Sequence, residues 1–203
     1  MNIPLFQTKR LLIRKARPNH EDIQLLTTLW NHPEVMKYVG FPKGLQISPE
    51  DVKGQVLRNE ENPYSSFLIV EEKSDKIGQC CIGIPDDEDL HNIDFKLLPQ
   101  YWRQGYGKEL ISGLAEWICK HSCAKGIKGT PHKKNIASQN LFEWIGCKKK
   151  GEDIYHFPET TNTFTCSVPH YIYTANKDEV RIKSALRGPV PKEEISTPSH
   201  SSI

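Results

Sequence analysis

The stretch PQYWRQGYGKEL, residues 99–110, constrains this chain more than any other. It follows the alternating segment NIDFKLL and opens a run whose apolar residues fall at Leu110, Ile111, Leu114, Trp117 and Ile118. The first pattern has the two-residue period of a strand and the second the spacing of one helical face, so Gly105 and Gly107 mark a strand-to-helix turn. Such a turn presents bare N–H groups at the positive end of a helix dipole, a seat for an anion and for phosphate above all. Two phosphate loops fail on spacing. A P-loop needs glycine where Trp102 stands and Ser or Thr where Glu109 stands, and a dinucleotide fingerprint needs a small residue at Leu110. The simpler role for the two glycines is a tight turn, with Arg103 and Lys108 at a solvated helix end.

The rest of the chain reads as an α+β pattern of about seven strands and four helices. RLLIRKA is the first strand, and Asn19 with Asp22 forms a capping pair for a helix through Trp30. Ser48, Pro49 and Asp51 repeat the device for a second helix. SSFLIVEE, IGQCCIGI and NIDFKLL follow as three consecutive strands. After the glycine turn come the helix that begins at Gly107, a short strand GIKGT, a helix ASQNLFEWIG ending at Gly146, and the strands DIYHF and FTCSVPHYIYT. Residues 1–175 make one domain. Residues 176–203 have no aromatic residue, mix charges and end in Pro and Ser, the composition of a flexible tail without a packed core.

Composition excludes several classes. A length of 203 residues with 37% hydrophobic content suits a single globular core. A net charge of +2, with basic residues scattered, lacks the footprint of a nucleic-acid binder. No apolar run approaches the roughly 18 residues of a membrane span, and the opening MNIPLFQTKR has no signal-peptide core, so the protein is expected to be cytoplasmic. The six cysteines lack C-x-x-C spacing, so free thiols and no metal are expected.

Four segments in order resemble the GNAT acyltransferases, in particular the RimJ/RimL branch of ribosomal-protein acetyltransferases. TKRLLIR is similar to the branch's T-x-R-L-x-x-R opening, LWNHPEVMKYVG to its first-helix segment, PQYWRQGYGKEL to its pyrophosphate loop, and NIASQNLFEWIGC to its N-x-A-S-x-x-L-x-x-x-G motif. The resemblance implies a mixed sheet whose central strands, here NIDFKLL and GIKGT, splay to admit the pantetheine arm of acetyl-CoA. It implies that the amides of Gln104, Gly105, Tyr106, Gly107 and Lys108 hold the pyrophosphate, with Arg103 and Lys108 adding charge. Asn135 is implied to bond the cofactor's amide arm and Ser138 to lie near its sulfur. Either residue also suits a helix cap. Trp102, Trp117, Trp144, Leu141 and Phe142 read as packing.

The implied reaction is transfer of acetyl from acetyl-CoA to a primary amine, either a peptide N-terminus or a small amine, with the enzyme a monomer or homodimer. Oxyanion donors are expected from backbone N–H groups near Leu97 and Leu98. Asp94 is the nearest carboxylate for a general base, although the alternation of Asn92, Asp94 and Lys96 also suits a solvated strand face. His132 is the second candidate base. Where many family members carry a tyrosine for the leaving thiolate this chain has Phe142, which promotes Ser138. The same absence leaves open a catalytically silent CoA-binding sensor or interaction module. The acidic run DDED reads either as a lure for a cationic amine or as a solvated turn.

Overall fold

The computed structural model of the chain describes residues 4–59, 67–158 and 163–174. The expected tail, 176–203, lies outside the described residues, as does the middle of the FPETTN loop.

Among the described residues, eight strands form one sheet in the order β1-β2-β3-β4-β5-β6-β8-β7. They are β1 (Pro4–Gln7), β2 (Leu11–Lys15), β3 (Leu68–Glu72), β4 (Asp75–Pro85), β5 (Leu90–Leu97), β6 (Gly126–Gly129), β7 (Lys148–Pro158) and β8 (Thr163–Thr174). Five α-helices accompany them among the described residues: α1 (His20–Asn31), α2 (Pro33–Met36), α3 (Pro49–Asn59), α4 (Tyr106–His121) and α5 (Ile136–Trp144). The seven expected strands and four expected helices are all present. The additions are β1, whose Phe6 pairs with Ile13 of β2, and the single turn α2.

The capping residues act as their chemistry dictates. Asn19 accepts from the Asp22 N–H at 2.9 Å, and Ser48 accepts from the Asp51 N–H at 3.1 Å. Period-two alternation then divides the sheet's apolar side chains between two faces. Leu68 and Val70 join a core with Leu110, Ile111, Leu114 and Ile118 of α4 and Phe142 of α5. Ile69, between them, faces a second core with Leu26, Leu29 and Trp30 of α1, Met36 of α2 and Val52 of α3. The second layer is pinned by a buried ion cluster. Arg14 on β2 forks onto Asp22 of α1 at 2.7 and 2.8 Å and reaches Glu71 on β3 at 2.6 Å.

All strand pairs are antiparallel except β5 with β6, and a parallel pair requires a crossover, which α4 supplies. That pair is short. Leu90, His91 and Asn92 face Gly126, Ile127 and Lys128, after which β6 ends at Gly129 while β5 continues to Leu97. From Ile93 onward β5 therefore keeps only β4 as a partner, and the sheet opens into a gap at the C-terminal ends of the two strands. The departure of β6 is shaped by α5. A Cβ at Gly129 would lie 1.9 Å from Phe142 Cζ, so the aromatic ring rests directly on the strand's backbone. Pro131, with no N–H to offer a ladder, stands two residues beyond. The DDED run lies at the other end of β5. Asp86 Oδ1 accepts the N–H groups of Glu88 and Leu90, both at 3.0 Å, so the acids build the turn into β5 away from the gap.

Candidate active site

The glycine stretch adopts the geometry of an anion seat. Pro99–Tyr101 make one 3-10 turn, Arg103 and Gly105 take φ values of 59° and 84°, and α4 starts at Tyr106. The helix's first bond runs from the Glu109 N–H to Gly105 O at 3.1 Å. Upstream of it, the amides of Gln104, Gly105, Tyr106, Gly107 and Lys108 donate to no other described group. Gly105 supplies no side-chain cap, and its left-handed backbone explains the glycine there. Gly107 has a different reason. A Cβ at that position would come within 3.1 Å of Leu141 Cδ1, so this glycine lets α5 pack on the first turn of α4.

Three residues whose role sequence reasoning missed, Thr8, Arg10 and Glu109, hold this loop in place. Glu109 accepts from Thr8 Oγ1 at 2.7 Å, from the Arg10 N–H at 2.6 Å and from Arg10 Nε at 2.7 Å. Arg10 also donates to Gln104 O at 3.1 Å and covers the Tyr106 ring at 4.2 Å. Burial raises the Glu109 pKa, but the bonds from Thr8 and Arg10 outweigh it and leave the carboxyl below its usual range. The signal for this brace was already in the T-x-R opening, read there only as resemblance. Of the expected cations, Arg103 is exposed, and Lys108 carries its ammonium over the Trp144 ring at 5.1 Å.

Two of the tryptophans depart from the packing role expected of them. Trp144 is 50% exposed and Trp102 40% exposed, and the Trp102 indole N–H donates to Leu97 O at 2.7 Å. Helical spacing placed Trp144 with the core, but it lies at the end of α5, where the apolar face runs out into solvent.

At the gap, the two expected oxyanion donors separate. The Leu98 N–H is already committed to Ile77 O at 2.9 Å. Antiparallel alternation then turns the Leu97 N–H away from β4, onto the edge that β6 has left. Asp94 lies on the opposite face of β5 from Leu97's core side chain. It is 54% exposed and ion-paired with Lys96. Burial lowers the Lys96 pKa, but the Asp94 charge and hydrogen bond overcome it, leaving the ammonium more firmly protonated than usual. Beside them Cys81, cross-strand from Asp94, is pushed up by burial and by the Asp94 charge to about 12, so its thiol stays protonated.

Asn135 is the α5 cap, accepting from the Ser138 N–H at 3.1 Å. Ser138 therefore sits inside the first turn with its hydroxyl free of the capping role, and both side chains are half-buried. Phe142 is 2% exposed and carries no hydroxyl to the gap. His132 accepts the Lys134 N–H at Nδ1 at 3.0 Å and touches the Tyr38 ring, 5.7 Å between centroids. With Nδ1 accepting, a neutral imidazole carries its proton on Nε2, which makes His132 a hydrogen-bond donor toward its surroundings rather than a base. Burial and the Lys134 charge lower its pKa, which favours that neutral form. Among the described residues no group of three or more His, Cys, Asp or Glu is arranged to hold a metal ion, and no helix is long and apolar enough to cross a membrane.

Comparison with known proteins bears on this arrangement. The family model described as the acetyltransferase (GNAT) domain matches residues 10–148. An uncharacterised N-acetyltransferase p20 of Bacillus licheniformis is 25% identical over 150 residues, 71% of this chain and 82% of that protein. A protein named as a putative ribosomal protein bS18-alanine N-acetyltransferase of Bacillus subtilis is 32% identical over 92 residues, 45% of this chain and 59% of that protein. Among solved structures, RimL, a ribosomal L7/L12 α-N-acetyltransferase, superposes with a TM-score of 0.70 at 14% identity, covering 86% of this chain and 96% of that one.

Proposed function

The chain belongs to the GNAT acetyltransferase family, and from that membership and its likeness to the RimJ/RimL branch we propose that it transfers acetyl from acetyl-CoA to a primary amine, a peptide N-terminus or a small amine, by direct attack in a ternary complex. One observation carries the reading beyond the family: the uncommitted amides of Gln104 to Lys108 lie at the start of α4, in the loop that follows the β5 edge vacated by β6. Those amides and the dipole of α4 suit a pyrophosphate, and the β5 edge suits an amide-bearing arm that pairs as a strand would. Acetyl-CoA has both parts in that order.

Within this reading the residues divide the chemistry as follows. The loop amides, with Arg103 and Lys108 nearby, bind the pyrophosphate, and the Nδ2 of Asn135 remains to bond the amide arm. The Leu97 N–H meets the thioester oxygen and strengthens its hold as negative charge develops there. Asp94, paired with Lys96, receives the proton of the incoming ammonium through water and so frees the nitrogen lone pair. That nitrogen bonds to the carbonyl carbon and the carbon–sulfur bond breaks; the Ser138 hydroxyl donates to the departing thiolate and is reprotonated, through water, by the second proton leaving the nitrogen, so that a neutral amide and free CoA thiol result.

The test is an acceptor screen with acetyl-CoA across N-terminal peptides, polyamines and aminoglycosides, following both thiol release and product mass. At least one acetylated amine is expected. Saturable acetyl-CoA binding with no product from any acceptor would overturn the transfer reading and favour a silent binding module, the role that Phe142 in place of a tyrosine leaves open.

A further inference from the structure

Trp102 belongs to the same loop as the anion seat, and its ring is 40% exposed, yet its indole N–H is committed to Leu97 O at 2.7 Å. That carbonyl shares one peptide unit with the Leu98 N–H, which points at β4 and donates to Ile77 O at 2.9 Å. Among the described residues no peptide bond is cis, and in a trans peptide the carbonyl points opposite to the N–H. The indole therefore meets β5 on the edge that β6 has left. The Leu97–Leu98 peptide is thus held from both sides, by β4 and by Trp102, at the end of a strand that has lost its other neighbour. The Leu97 N–H lies on that same open edge.

We propose that Trp102 is a positioning residue for the acyl group: by tying the strand end to the anion-binding loop, it fixes the distance between the seat of the pyrophosphate and the N–H that meets the thioester oxygen. The proposal rests on the acetyltransferase reading above. It assigns to the indole N–H a role distinct from packing. A ring needed only to cover the loop would not have to donate to Leu97, and the ring is too exposed to be core. Small misplacement of a reacting group is costly, about 100-fold for roughly 1 Å, so one bond at this position has leverage on rate.

The experiment compares the wild type with W102F, which keeps an aromatic ring and removes the donor. CoA affinity by calorimetry should change by less than about threefold, and the melting temperature should stay within a few degrees. The turnover number should fall by about 10- to 100-fold, and the preference for acetyl-CoA over CoA should shrink. Where W102F folds poorly, the sulfur isostere 3-benzothienylalanine at position 102 keeps the ring shape without the N–H and should behave in the same way. Unchanged turnover in either variant overturns the proposal. So does a loss of CoA affinity that accounts for the whole fall in kcat/KM, which would make Trp102 part of the loop's packing, or tighter acetyl-CoA binding, which would mean the indole occupies the ligand's place. The acetyl-CoA to CoA affinity ratio needs no acceptor. An intact wild-type preference that W102F abolishes supports the positioning role even with no amine turned over, and such a lack of turnover then counts against the transferase reading alone.

Discussion

Because Asn135 caps α5 with its side chain while Ser138 gives that cap only an N–H, substitutions at the two positions separate stability from chemistry. Asn135→Ala should cost about 1 kcal/mol in urea denaturation through loss of the cap. Ser138→Ala should leave stability within about 0.5 kcal/mol, yet lower the turnover number by roughly one to three orders of magnitude if its hydroxyl protonates the thiolate. Normal turnover in a stable Ser138→Ala protein would remove that role. His132 gives a pH signature of its own. Its folded pKa lies below the ordinary 6.5, so on acidification the unfolded chain takes up the proton first. Its contribution to stability is present above about pH 6.5 and is lost as pH falls through the folded value. The melting temperature should therefore drop more steeply below that pH in the wild type than in His132→Asn; equal slopes would contradict the assignment. Chemistry at the residue scale was the least legible part of the sequence. Asp94 and Lys96 alternate as a solvated strand face would, and the spacing gave no sign that they pair with each other or that Leu98 would already be engaged with Ile77.

At the scale of elements, the gap depends on a fit between a glycine and an aromatic ring. Gly129 on β6 lies where any Cβ would overlap the edge of Phe142, so Gly129→Ala must push the ring, the strand or α5 away. A loss of about 1–3 kcal/mol is expected in chemical denaturation, partly restored by adding Phe142→Leu. No loss would mean that the ring is not fixed against the strand. The elements themselves were readable because their devices are local. The Asn19/Asp22 and Ser48/Asp51 caps, the apolar stripe of α4 and the alternation of β5 each lie within a few residues. β1 was missed because four residues with two apolar side chains carry too little pattern, and only pairing with β2 makes them a strand. The exposure of Trp102 and Trp144 escaped for the opposite reason. Trp144 has the spacing of a buried face that ends at the last residue of α5, and Trp102 lies in the loop ahead of α4 rather than on a helix face, which only the tertiary arrangement shows.

In the whole molecule, two layers cover the sheet, and the one formed by α1, α2 and α3 is held by charge as well as by apolar packing. Arg14 is 3% exposed and satisfies both Asp22 and Glu71, with Asp22 also accepting the Arg17 N–H at 2.9 Å. Arg14→Met would leave two buried carboxylates without their cation and should destabilise by about 3–5 kcal/mol, read as a lowered urea midpoint at unchanged m-value. A loss under about 1 kcal/mol would show that water replaces the guanidinium there. That cluster ties β2 and β3 to α1, on the half of the sheet from which β6 diverges. The Arg10–Glu109 brace joins the same half to the start of α4. The anion seat and the open strand edge are thus properties of the assembled fold, and the proposed function stands or falls on what they hold. The most direct measurement is mass spectrometry of candidate amine acceptors incubated with the protein and isotope-labelled acetyl-CoA. The labelled acetyl group should appear on a primary amine together with one equivalent of free CoA. A folded protein that binds acetyl-CoA and leaves every peptide N-terminus and small amine unlabelled would contradict the account.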